Sequence, residues 1–140
     1  MLNKELFYET IKSFEIDVDE SAFNRLDKFA EMLIETNKNF NLTAIKEPDD
    51  VTVKHFADCL SIFKYVDIPE GSKIIDVGTG AGFPGIPLKI AFPSLKVTLA
   101  DKTVWIKYAP KKTTKEKLAS AITKLGYQVL GEKQEEPVTE

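Results

Sequence analysis

Three glycines at alternate positions stand between a run of β-branched residues and a helical pattern, in the order Asp76-Val77-Gly78-Thr79-Gly80-Ala81-Gly82, with Phe83 next. Glycine admits backbone angles that other residues avoid, and it lets a ligand approach the main chain. Here it also leads toward a helix start whose amides lack partners. Such a loop suits a nucleotide-type cofactor. In a dinucleotide site of G-x-G-x-x-G type the third glycine would fall at position 83, which is Phe83. The spacing fits G-x-G-x-G instead, a form associated with methyltransferases, and the candidate cofactor is S-adenosylmethionine. Asp101 follows the loop by about 20 residues, at the end of a second strand-like run, where a carboxylate can accept both ribose hydroxyls. The plainer alternative is a tight strand-to-helix connection in which Asp76 caps the following turn and Asp101 is a surface acid.

Two further ionisable residues draw notice. His55 and Asp58 are three apart in a helical pattern and so share a face, where they can pair and fasten the helical region to the sheet. Cys59 is the single cysteine, which excludes an internal disulfide and any all-cysteine metal site. It lies in an apolar helical pattern, as a buried and inert thiol would.

These residues need a scaffold, and the apolar periodicity supplies one. Phe7, Ile11 and Phe14, then Phe23, Leu26, Phe29, Ala30 and Leu33, recur at helical spacing, with Asp19 or Ser21 as a cap for the second helix. The stretch from Asn37 to Thr43 is rich in asparagine and predicts a loop. Glu47-Pro48-Asp49-Asp50 starts another helix, running from Val51 to about Tyr65, with Val53, Phe56, Leu60 and Phe63 on one face. Pro69-Glu70-Gly71 marks a turn before the short apolar run from Lys73 to Val77, which suits a central parallel strand. A helix from Ile86 to about Phe92 and a strand from Lys96 to Ala100 follow, an order that makes a parallel pair.

Beyond Asp101 the pattern changes. Residues 103 to 108 alternate as a further strand, and Lys96 to Tyr108 can form an antiparallel hairpin turning at Asp101-Lys102. Thr113 or Thr114 caps a helix with Leu118, Ala121, Ile122 and Leu125 on one face; Gly126 ends it, and Tyr127 to Leu130 reads as a short strand. Residues 132 to 140 read as a disordered acidic tail. Charge is uneven: residues 1–101 hold eleven basic against seventeen acidic side chains, whereas residues 102–131 hold seven lysines against one glutamate. An acidic first part is a poor general footprint for nucleic acid, so any RNA contact would be local or involve the basic stretch. No window approaches a membrane span and the N-terminus lacks the apolar run of a secretory signal, which predicts a cytoplasmic protein.

Residues 1 to about 101 resemble the glucose-inhibited division protein B family, methyltransferases that modify N7 of one guanine in small-subunit ribosomal RNA. The matching stretches are Asn39 to Ile45, His55 to Leu60 and, above all, the long run from Asp76 to Leu88. The resemblance implies a transferase that uses S-adenosylmethionine, with Asp76, Gly78, Gly80, Gly82, Phe83 and Asp101 as the cofactor-binding set. It implies that Asn39, Asn41, His55 and Asp58 lie near the RNA or the cofactor mouth, and that small-subunit ribosomal RNA is the partner. Residues 97 to 130 are similar to the C-terminal part of a heavy-metal-associated, ferredoxin-like domain, so the expectation is a chimera joined within Val97 to Leu99. The Cys-x-x-Cys of such domains is absent, and no metal is expected.

The fold expected is therefore α/β: an N-terminal helical bundle packed on a truncated Rossmann-like methyltransferase sheet, completed by a ferredoxin-like strand-helix-strand segment. The divisions expected are a helical region over 1–70, the first βαβ unit over 71–101, the ferredoxin-like segment over 102–131 and the tail over 132–140. The function expected is a methyltransferase-type domain lacking the later strands, with a non-catalytic chimeric or structural protein as the alternative. A nicotinamide-dependent oxidoreductase is disfavoured by Phe83.

Overall fold

The computed structural model of the chain describes residues 1–40, 47–100, 109–126 and 128–131. It divides into two compact units, Met1–Thr103 and Val104–Glu140. In the first unit, helix α1 spans Lys4–Ile11 and is capped by Asn3, whose side-chain oxygen accepts from the Leu6 amide at 3.1 Å. A 3-10 turn, Lys12–Phe14, ends it at Glu15 in the left-handed conformation. Helix α2, Glu20–Phe40, begins where Asp19 accepts from the Ala22 amide at 2.6 Å, which satisfies one of the orphan donors of a helix start.

The apolar stripe of α2 is Ala22, Phe23, Leu26, Ala30 and Leu33, all buried. It packs with Phe7 and Ile11 of α1, and Phe7 lies 5.2 Å from Phe23 between ring centroids. Each of the larger side chains, Phe7, Ile11, Phe23, Leu26 and Leu33, contributes about 1.5–3 kcal/mol relative to an exposed one. The loop expected from Asn37 onward starts later than the asparagines suggest, because Asn37 to Phe40 are helical. Asn37 sits on the buried stripe, eleven residues after Leu26, and burial there outweighs its weak preference for turns.

A second helical rod covers residues 48–64 in four pieces: α3 at Pro48–Val51, a π-helical turn at Thr52–Ala57, α4 at Asp58–Leu60 and a 3-10 turn at Ser61–Lys64. Pro48 occupies the first helical turn, where a missing amide costs nothing. The face it buries is Val51, Thr52, Phe56, Ala57, Cys59 and Leu60, while Val53 and Phe63, expected on the same face, are only half-buried. The wide turn causes the difference, since an extra residue per turn shifts the phase of everything around it. Thr52 fastens the rod to the chain start: its hydroxyl donates to the Pro48 carbonyl at 2.7 Å and accepts from the Asn3 amide at 3.0 Å.

Strands β1, Lys73–Val77, and β2, Lys96–Ala100, pair in parallel with Lys73 opposite Lys96 and Val77 opposite Ala100. Helix α5, Gly85–Ala91, joins them and packs on α2, α4 and both strands through Leu88 and Ala91. This is the βαβ order expected, with the strand boundaries as read. On the other face of the sheet Ile75 is 42% and Val77 36% exposed.

In the second unit the described element is helix α6, Lys115–Lys124, capped by the Thr114 hydroxyl, which accepts from the Lys117 amide at 3.3 Å. Gly126 follows at φ +89°, the left-handed position that ends a helix. The strand expected from Tyr127 to Leu130 is not seen over its described part, since Gln128 to Leu130 adopt no strand and pair with none of the described residues; Tyr127 itself lies outside the described residues. The strand expected at 103–108, the hairpin through Asp101 and the acidic tail lie outside the described residues. Among the described residues no helix is long and apolar enough to cross a membrane.

Candidate functional site

The glycine loop leaves β1 at its C-terminal end. The Gly78 amide donates to the Ala100 carbonyl at 2.7 Å, so the loop begins against the end of β2. Gly78, Gly80 and Gly82 all have positive φ, at +75°, +56° and +96°. At Gly78 and Gly80 a Cβ would meet no atom of the described residues within 4 Å, so among these residues the main chain there is open. Within it the amides of Gly82 and Phe83 both donate to the Thr79 carbonyl, each at 3.0 Å.

Asp76 points the opposite way, into the protein. Its carboxylate is buried and accepts from the Gly85 amide at 2.8 Å, the first residue of α5. A Cβ on Gly85 would stand 2.4 Å from Leu99 Cδ2 and 2.8 Å from Asp76 Oδ2, so α5 can approach the sheet this closely only with glycine at that position. The capping role anticipated as the plainer alternative for Asp76 is therefore the contact that the structure displays. One polar atom of the loop has no such partner: the Thr79 hydroxyl oxygen is buried and makes no hydrogen bond among the described residues. Buried polar atoms are nearly always bonded, and an exception calls for a cause such as local strain, a functional role or a bound water or ion.

Phe83 is the hub of an aromatic cluster. Its ring stacks on Phe29 of α2 with centroids 5.6 Å apart, meets Phe56 edge-on at 5.4 Å and lies 5.3 Å from the His55 ring. The third glycine of the loop is thus followed by a residue anchored in both helical segments. A cleft of about 290 Å³ opens beside it, lined by Lys54, His55, Asp58, Cys59, Phe83 and Pro84. Burial pushes the pKa of His55 below its ordinary value, an effect that the nearby Asp58 carboxylate opposes. Burial likewise pushes the Cys59 thiol up to about 12, which keeps it protonated and inert. Lys54 adds a positive charge at the cleft and pairs with Asp50 at 2.9 Å.

Of the residues singled out in the sequence, the structure brings His55, Asp58 and Phe83 to one cleft, and it places Gly78, Gly80 and Gly82 on one open loop. Asn39 belongs to the last turn of α2; its side chain, like Asn41 and Asp101, lies outside the described residues. Sequence reasoning passed over Thr79, Lys54, Phe29 and Phe56. The two phenylalanines read as ordinary core, and nothing in the pattern says that they meet Phe83. Thr79 was discoverable as the one hydroxyl inside the glycine run. Among the described residues no group of histidine, cysteine and carboxylate side chains is placed to hold a metal ion.

Comparison with known proteins gives the same direction. The family described as GidB, rRNA small subunit methyltransferase G, matches residues 22–126. The match therefore continues past Asp101, across part of the segment likened above to a heavy-metal-associated domain. Among curated proteins, the ribosomal RNA small subunit methyltransferase G of Desulforamulus reducens is 48% identical over 93 residues, 66% of this chain and 39% of its own length. That of Alkaliphilus oremlandii is 45% identical over 98 residues, 70% of this chain and 41% of its own. That of Thermoanaerobacter sp. strain X514 is 49% identical over 105 residues, 74% and 44% respectively. The chain thus spans about two fifths of the length of these relatives.

Proposed function

Because the chain belongs to the GidB family of rRNA small subunit methyltransferases, we propose that it is a methyltransferase-type domain that binds S-adenosylmethionine and is directed at small-subunit ribosomal RNA. The observation that carries this reading is the open glycine loop at the end of β1, with an unpaired Thr79 hydroxyl inside it. Gly78, Gly80 and Gly82 would let the methionine end of the cofactor approach the main chain, Thr79 would offer it a hydrogen-bonding hydroxyl, and Asp101 would receive the ribose. Asp76 acts indirectly, by holding α5 and thereby the loop.

The bound cofactor supplies an electrophilic methyl group on a sulfonium. Guanine N7 carries an in-plane lone pair and releases no proton on methylation, so the protein has to align the partners and exclude water rather than supply a base. Phe83, wedged between Phe29 and Phe56, is fitted to that task. His55, with its lowered pKa, offers a largely neutral ring at the cleft. Together with Asp58, Asn39 and Asn41 it forms the proposed RNA-facing set. The protein acts in the cytoplasm, where its ribosomal substrate is made.

The alternative, a non-catalytic chimera whose residues 97–130 derive from a heavy-metal-associated domain, draws support from α6 alone. Calorimetric titration with S-adenosylmethionine distinguishes the two. Saturable binding that is lost in Gly80→Val and Asp101→Ala is expected, followed by methyl transfer to small-subunit RNA; absence of binding overturns the cofactor reading.

A further inference from the structure

At the opposite end of the sheet from the glycine loop, a groove of about 650 Å³ opens beside the turns that precede β1 and β2. Its floor includes Phe63, Ile68 and Phe92, with the two phenylalanine rings 4.5 Å apart. Glu15, Asp17 and Glu70 stand along it. Among the described residues none of these three carboxylates is in an ion pair. The groove thus combines apolar surface with three carboxylates that form no ion pair among the described residues.

Helix α6 has the complementary character. Leu118, Ile122 and Leu125 recur at helical spacing and form one stripe, yet no residue of the helix is buried, and Leu125 is 74% exposed. On a helical projection Lys115 flanks that stripe on one side and Lys117 lies about 100° from its centre on the other, with Lys124 farther round. An amphipathic helix of ten residues gains most of its stability by burying such a stripe. Here it has a basic border that matches an acidic groove.

We infer that the chain self-associates, with α6 of one copy seated in the acid-bordered groove of a second copy. Each chain carries both halves of the contact, so two copies related by a twofold axis exchange helices and close the assembly. Leu118, Ile122 and Leu125 meet the phenylalanine floor, and the flanking lysines meet Glu15, Asp17 and Glu70. The proposal does not depend on the cofactor reading, and the groove lies away from the glycine loop.

Sedimentation velocity on the full chain over a range of concentrations tests it. A dimer is expected, and it should weaken with added salt because exposed charges contribute to the contact. Leu125→Glu and the double variant Asp17→Lys with Glu70→Lys each change exposed positions, so circular dichroism should report an intact fold. Each should raise the dimer dissociation constant by about tenfold or more. Mixing the two variants should restore a heterodimer, because one intact helix and one intact groove remain in the mixture. A monomer at every concentration, a dimer indifferent to both variants, or a mixture that fails to associate overturns the proposal.

Discussion

The amide of Gly85 donates to the Asp76 carboxylate at 2.8 Å, tying the first residue of α5 to the interior of β1. Both are buried, and the glycine loop hangs between them. The carboxylate and the missing side chain are therefore one device: the first fixes the helix start, and the second lets it come close enough to be fixed.

Asp76→Ala removes the acceptor and leaves a buried amide unsatisfied, which should cost about 1–3 kcal/mol. Asp76→Asn keeps a carbonyl oxygen at the same place and should cost less. Urea unfolding followed by circular dichroism measures both; equal losses in the two variants would mean that the hydrogen bond is not the source of the effect.

Gly85→Ala forces a methyl group into the space held by Leu99 Cδ2 and Asp76 Oδ2, 2.4 and 2.8 Å from its ideal position. Overpacking of this kind should destabilise the fold by about 1–3 kcal/mol. The thermal midpoint should fall accordingly, and a second substitution, Leu99→Ala, should recover part of the loss.

Acidification should weaken the fold through His55. Burial holds its pKa below the ordinary 6.5, so the unfolded chain takes up a proton at a higher pH than the folded one does. The contribution of the neutral ring is present in full above pH 6.5 and is lost as pH falls through that value toward the folded pKa. Unfolding free energy measured across this range should decline toward acid, and His55→Gln should flatten the decline.

Cys59, with its thiol held up to about 12, should resist alkylation by iodoacetamide at neutral pH in the folded protein. The same reagent should label it rapidly in denaturant. Fast labelling of the native chain would show that the wall of the His55 cleft opens.

Much of the scaffold was legible in the sequence because its signals are local. β1, β2 and the helix between them follow from short β-branched runs and alternate glycines; the caps at Asp19 and Thr114 follow from side chains that bond nearby amides. The misreadings are those in which distant contacts decide. Asn37 looked like a loop residue but lies on a buried helical stripe, and Gln128 to Leu130, read as part of a strand, pair with none of the described residues. The site was legible as a loop and not as a cluster: periodicity assigned Phe29 and Phe56 to the core, and only the folded arrangement brings them and His55 to Phe83.

The π-helical turn at Thr52–Ala57 also limits which changes in length this protein can accept. An α-helix advances by about 100° per residue, so deleting one residue there to restore a regular helix would rotate everything after it by about that angle. Cys59 and Leu60 would swing out of the core and Asp58 away from the cleft. Substitutions along this rod change single side chains, but a one-residue deletion would re-aim a whole face, so the chain is far less tolerant of lost residues here than of replaced ones.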